Sequence, residues 1–237
     1  MSAGRFGRMS HAGGTNRAGD VNRENFDDDT RLRRDRAADR LVHGASLIFA
    51  VSASVALAMM FPRLETGQVA GLSIYAFGLL SMFTCSALYN MTEQTGTHGL
   101  FRRLDHAAIF IMIAGTYTPL TLTLMPTARG YAVLTFVWTG AIAGAFVKLF
   151  FPTRFERFSV AAYLVLGWAI LAAIGPLSKA LPLPGLLLLA AGGFFYSFGV
   201  IFHLATRLPY QNALWHACVL AGAACHFAMI WRFVAGR

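Results

Sequence analysis

Asn212 and His216 lie four residues apart, as do Ser86 and Asn90. On an α-helix that spacing puts both members of a pair on one face, a turn apart. Asp105 and His106 stand together just after the basic pair Arg102 and Arg103, and His43 and His203 fall near the ends of other apolar runs. Acid, imidazole, amide and hydroxyl groups of this kind suit a polarised water or a metal, although zinc takes His, Cys and carboxylate, and Asn serves it poorly. A hydrogen-bonded structural network, a catalytic or ligand-binding cavity, and a proton or ion pathway are all open to such a set.

The elements that must position these groups are apolar. The chain has 237 residues, of which 56% are hydrophobic and only 13% charged, with a mean hydropathy of +0.54. A soluble globule cannot be clothed with so little polar surface, so the apolar excess is expected to face lipid. Seven runs are near the ~20 residues that cross a bilayer as a helix: Leu41 to Phe61, Val69 to Asn90, Asp105 to Leu124, Tyr131 to Phe150, Phe158 to Ile174, Gly185 to Leu204 and Asn212 to Phe233. Turn residues separate them, among them Pro62, Gly96 with Gly99, Pro126 with Gly130, Pro152, the segment from Pro176 to Pro184, and Pro209. The expected fold is all-α and polytopic, with one transmembrane domain over residues 41–237.

Residues 1–40 are rich in Gly, Asn, Arg and Asp and poor in large apolar side chains, so they are expected to form a disordered tail. Arg31, Arg33, Arg34, Arg36 and Arg40 make its end basic, which suits either a short juxtamembrane helix against anionic headgroups or a solvated flank that sets topology. No signal peptide is expected, since the first apolar run follows forty polar residues. The formal charge of +9 resides in this tail and between apolar runs, which argues for membrane orientation and against nucleic-acid binding. Placing the tail in the cytoplasm puts Arg102, Arg103, Arg154, Arg157 and Arg207 on that side too, so the N-terminus is expected inside and the C-terminus outside.

With that orientation His43, Asn90, Asp105, His106, His203, Asn212 and His216 fall in one layer near the cytoplasmic face, while His226 lies deeper as a core histidine or part of a second polar cluster. Pro119 is expected to kink the third span, with neighbouring Thr hydroxyls meeting the freed carbonyls. Gly140, Gly144 and Gly193 read as helix-contact positions. Cys85, Cys218 and Cys225 all lie in apolar runs and read as packed free thiols.

The segment from Ser86 to Asn90, the run Arg103-Leu104-Asp105-His106-Ala107-Ala108-Ile109-Phe110 leading to Gly115-Thr116-Tyr117-Thr118-Pro119, and Trp215-His216-Ala217-Cys218 through Cys225-His226-Phe227 resemble the bacterial haemolysin III family. That family is a branch of the progestin and adiponectin-type receptor superfamily, and His43 fits its first-span histidine. The resemblance covers roughly residues 40–233 and implies seven helices in the bacterial inner membrane. It also implies a zinc ion held by a Ser-x-x-x-His motif on the second helix and a His-x-x-x-His motif on the seventh, with an aspartate of the third helix positioning its water. Ser86, Asp105 and His216 match this pattern. The second-helix histidine is Asn90 and the first seventh-helix histidine is Asn212, so zinc affinity should be severely weakened. A rescue set would draw on His43, His203 or His106 with His216 and Asp105. The resemblance therefore implies a receptor- or sensor-like membrane protein with a polar cavity of hydrolase ancestry and membrane lipids as partners. Its rivals are a metal-dependent lipid amidase of the ceramidase type, in which Ser86 and Asp105 are catalytic, and a membrane-lytic pore former.

Overall fold

The computed structural model describes residues 14–92, 97–151 and 156–236; residues 1–13 of the expected tail, Gly96, Pro152 and Arg154 lie outside them. Among the described residues every regular element is helical. The helices are α1 (Gly14–Met60), α2 (Thr66–Met91), α3 (His98–Leu124), α4 (Ala128–Phe150), α5 (Glu156–Trp168), α6 (Ile174–Ala180), α7 (Leu183–Leu204) and α8 (Gln211–Phe233), with 3₁₀ turns at Phe61–Arg63 and Ala169–Ala173. Seven stretches are long and apolar enough to cross a membrane, the fifth being Phe158–Ala180, which joins α5 to α6. Phe77, Phe136, Phe146 and Phe194 are each more than half exposed on the outer wall. Lipid tolerates such a wall; water would not.

Ahead of the first apolar run the backbone is already helical: α1 runs from Gly14 to Met60, and the first spanning stretch begins at Thr30. A helix already nucleated by its membrane segment extends outward at the cost of propagation alone. The Ala and Arg residues ahead of Leu41 are good helix formers.

Between lipid-facing helices burial from water supplies no drive, so close approach of backbones must hold the bundle. In the α2–α3 seam a Cβ on Gly78 would stand 3.1 Å from the Met112 Cα, and one on Gly115 3.2 Å from the Ile74 carbonyl oxygen. In the α7–α8 seam a Cβ on Gly222 would stand 3.1 Å from the Gly192 carbonyl oxygen. Gly140, Gly144 and Gly193 are also contact positions, set against Leu166, Phe110 and Trp168. These seams join α2 to α3 and α7 to α8, α4 packs on α3, and α1 closes the ring between α2 and α8. That closure decides which side chains can meet α1.

Two local expectations change. Pro119 lies inside α3, but the Thr hydroxyls bond elsewhere than to the Gly115 carbonyl: Thr116 donates to Met112 O at 2.9 Å and Thr118 to Ala114 O at 2.8 Å. Each of these Thr hydroxyls bonds the carbonyl four residues back, and the residue four after Gly115 is Pro119 itself. The fifth span extends past Ile174 to Ala180. Pro176 falls in the first turn of α6, where a missing N–H is harmless. Where α5 becomes 3₁₀, the Tyr117 hydroxyl is inserted into the ladder, accepting from Ile170 N at 2.8 Å and facing the Leu166 and Gly167 carbonyls at 2.9 and 2.7 Å.

Candidate functional site

Because α1 lies between α2 and α8, a turn of α1 faces the end of α2 and the start of α8. Asp39 and His43, four residues apart, both point into that corner. The His216 Nδ1–H of α8 donates to Asp39 Oδ1 at 3.0 Å, and His43 Nε2 stands 3.5 Å from Asp39 Oδ2. The two imidazoles pack with centroids 4.2 Å apart. On the other side of His216, Nε2 faces the Ser86 Oγ of α2 at 3.4 Å. Asp105, at the start of α3, lies within hydrogen-bonding reach of Ser86 and is close enough to His43 for their charges to interact.

The cluster stands at a boundary. Below it is a cavity of about 420 Å³, mostly apolar, which runs past Met82, Phe83 and Ile113 to Trp168, Tyr196 and His226. Above it is a mostly polar vestibule of about 480 Å³ lined by Asp35, Arg36, Arg40, Thr206 and Gln211. His43, Asn90 and Asn212 line both spaces, Asp39 lines the vestibule, and Ser86, Asp105 and His216 line the cavity. The vestibule rim is strained. Tyr210 has φ 57°, and among the described residues no other non-glycine residue has a positive φ. Such a conformation costs on the order of 1 kcal/mol or more and persists at functional sites when packing enforces it.

Of the expected site residues, Ser86, Asp105, His216 and His43 come together. Three do not join them, and His203 stands at the edge of the cluster. The Asn90 side-chain amide donates to the Ser86 carbonyl at 2.9 Å, and Asn212 is exposed. His106 Nδ1 donates to Arg102 O at 2.7 Å, back along its own helix. His203 packs on Trp215 with centroids 5.0 Å apart and is close enough to His216 for their charges to interact. His226 is the deeper histidine expected, bonded through Nε2 to the Leu189 carbonyl at 3.2 Å and packed on Tyr196. Asp39 is new. Its sequence signal, an acid one helical turn before His43 at the edge of an apolar run, was hidden inside the presumed tail.

The fit of a metal follows from these donors. Asn90 with Asn212 does not fit zinc, since one amide is spent on the backbone and both are neutral. Asp39, His43 and His216 do fit a divalent cation: their ligand atoms all lie within 4.8 Å of one another, and His43 Nε2 is buried without a hydrogen bond. Their type, one carboxylate and two imidazoles, is that of zinc sites which keep a position open.

Fold and site together define a seven-helix membrane protein with a polar cluster capping an apolar cavity. The chain belongs to the haemolysin III-related family, whose model matches residues 38–227. It is 35% identical to Hemolysin-3 of Bacillus cereus over 206 residues, covering 86% of this chain and 94% of that one. It is 32% identical to the Hemolysin-3 homolog of Bacillus subtilis over 195 residues, covering 82% and 92%. A more distant relative is the human Monocyte to macrophage differentiation factor, 26% identical over 168 residues and covering 68% of this chain and 69% of that protein. No solved structure matches.

Proposed function

We propose that this protein is a membrane-embedded hydrolase that cleaves an amide or ester bond in a single-tailed amphiphile. The observation that carries the reading is the position of the Asp39, His43, Ser86 and His216 cluster between a polar vestibule and an apolar cavity. A tail would lie among Met82, Phe83 and Ile113, gaining roughly 0.8 kcal/mol for each methylene removed from water. The bond to be cut would then lie at Ser86 and His216, with water arriving past Gln211 and Asn212. Ser86 and Asp105 supply polar contacts to the carbonyl region, and His216 exchanges the proton. In a metal-bound form zinc would, by donor type, be held by Asp39, His43 and His216 and would supply Lewis acidity to a carbonyl, with His216 then a ligand and no longer the base. The protein would act in the bacterial inner membrane with the start of α1 toward the cytoplasm, as the basic flank of Arg31, Arg33, Arg34, Arg36 and Arg40 favours.

The test is turnover of fluorogenic amphiphiles by detergent-purified protein, comparing long-chain with short-chain acyl amides and esters. The expected result is saturable hydrolysis that prefers the long chain and falls about 100-fold or more in His216→Ala, the usual scale for loss of a general base. Saturable binding of the same amphiphiles without turnover would replace the hydrolase with a receptor. The relatives' name, Hemolysin-3, favours one further reading, lysis. Dye release from vesicles at low protein density, unaffected by His216→Ala, would support it over hydrolysis.

A further inference from the structure

The cluster has an order that a metal site does not need. Asp39 Oδ1, His216 Nδ1, His216 Nε2 and Ser86 Oγ form one line, with successive contacts of 3.0 Å and 3.4 Å on the two sides of a single imidazole. An ionised carboxylate accepts hydrogen bonds and donates none, so the bond to Asp39 fixes the imidazole proton on Nδ1. Nε2 of the neutral ring then presents its lone pair to the Ser86 hydroxyl. His43 packs against the same ring and keeps its Nε2 near the second Asp39 oxygen, so the imidazole is held from a face as well as an edge. Ser86 itself is 7% exposed and lines the apolar cavity, where the carbonyl of a tailed substrate would arrive. A separation of 3.4 Å is looser than a formed hydrogen bond but within the range that nucleophile–base pairs show before substrate binds.

We propose that Ser86 is a covalent nucleophile, with His216 as its general base and Asp39 as the residue that positions the base. The inference rests on the hydrolase reading and specifies how that reaction would proceed from the chain's own side chains. Ser86 Oγ bonds to the carbonyl carbon of the ester or amide while its proton passes to His216 Nε2. The tetrahedral adduct then collapses, the bond to the alcohol or amine breaks, and the leaving group departs with that proton. Water from the vestibule next adds to the acyl-Ser86 ester, giving one proton to His216. Collapse releases the carboxylic acid and returns the proton to Ser86 Oγ. No oxidant or second substrate enters. Asp39 touches no reacting atom; it keeps the proton of His216 on Nδ1 and opposes the charge that the ring acquires. A divalent cation on Asp39, His43 and His216 would draw on the same Asp39 and His216 atoms, so the covalent route and a metal route exclude each other and chelation separates them.

The experiment treats full-length, detergent-purified protein with an alkyl fluorophosphonate in the presence of a strong chelator, followed by mass analysis of the intact chain and its peptides, with amphiphile hydrolysis measured in parallel. The expected result is one adduct on Ser86 in chelated wild type, none in Ser86→Ala, and hydrolysis that survives chelation. In Asp39→Asn the maximal labelling rate should fall about 100-fold or more with the half-saturating probe concentration unchanged, and Asp39→Glu should restore part of it. Loss of packing alone would weaken both quantities, and a retained elution profile in detergent establishes that each variant is folded. Hydrolysis that disappears on chelation, with Ser86 unlabelled, would overturn the nucleophile and leave the hydrolase standing on its metal route. Absence of both labelling and hydrolysis, with and without added zinc, would overturn the hydrolase reading itself.

Discussion

The Tyr117 hydroxyl occupies a gap in the fifth span, and removing it should be measurable. In Tyr117→Phe the Ile170 N–H loses its acceptor at 2.8 Å, and the Leu166 and Gly167 carbonyls lose a donor at 2.9 and 2.7 Å. Tyr117 is 4% exposed, so solvent cannot step in, and each orphaned buried group would cost about 1–3 kcal/mol. Part of that loss is recoverable, because the 3₁₀ turn at Ala169–Ala173 can tighten and let Ile170 N bond directly to a carbonyl of its own helix. A net loss of about 1–3 kcal/mol remains, equivalent to a fall of roughly 2–10 °C in apparent Tm for a chain of this size. Intrinsic-fluorescence melting in detergent reads it. The same substitution should alter amphiphile affinity, since Gly167 and Trp168 line the cavity just before the break. A melting temperature within a degree of wild type would refute the argument, because the hydroxyl would then have no part in holding the break.

Three further outcomes follow from glycine packing and the donor set. Gly192→Ala sets a Cβ against the His226 ring, an overpacking worth about 1–3 kcal/mol, so its apparent Tm should fall by several degrees. Gly44→Ala meets no atom within 4 Å and should melt at or slightly above the wild-type temperature. Elemental analysis of the double variant Asn90→His with Asn212→His should give more zinc per chain than wild type, and the gain should persist when Asp39→Asn is added. Zinc that vanishes with Asp39→Asn in that background would mean the new histidines bind nothing on their own.

Much of the architecture could be read from the chain. Runs of about 20 apolar residues bounded by Pro and Gly demand helices, since a bilayer offers no partner for unpaired backbone groups. The seven spans are therefore legible in the chain, although the structure begins the first at Thr30 rather than Leu41 and the third at Gly99 rather than Asp105. The least regular one, the fifth, was blurred because Gly175 and Pro176 weaken its helical pattern while Tyr117, more than fifty residues away in some of its contacts, completes its hydrogen bonding. Ser86, Asp105, His216 and His43 were recognisable because polar groups in apolar helices are costly and must converge. Asn90 and Asn212 stand where the family resemblance implies zinc-ligating histidines, and a neutral amide serves zinc poorly. Rotamer and exposure turned one back onto its own helix and left the other at the surface.

The sequence by itself determined the number of spans and the layer in which the polar groups would lie, because these depend on hydropathy and helical rise along a single chain. Only the tertiary structure decided the membership of the site. Asp39 and His216 are 177 residues apart, and no local pattern connects them. They meet because glycine-dependent seams fix α2 to α3 and α7 to α8, leaving α1 to close the ring. That closure brings Asp39 and His43 within reach of His216 and sets the opposite edge of the same ring before Ser86.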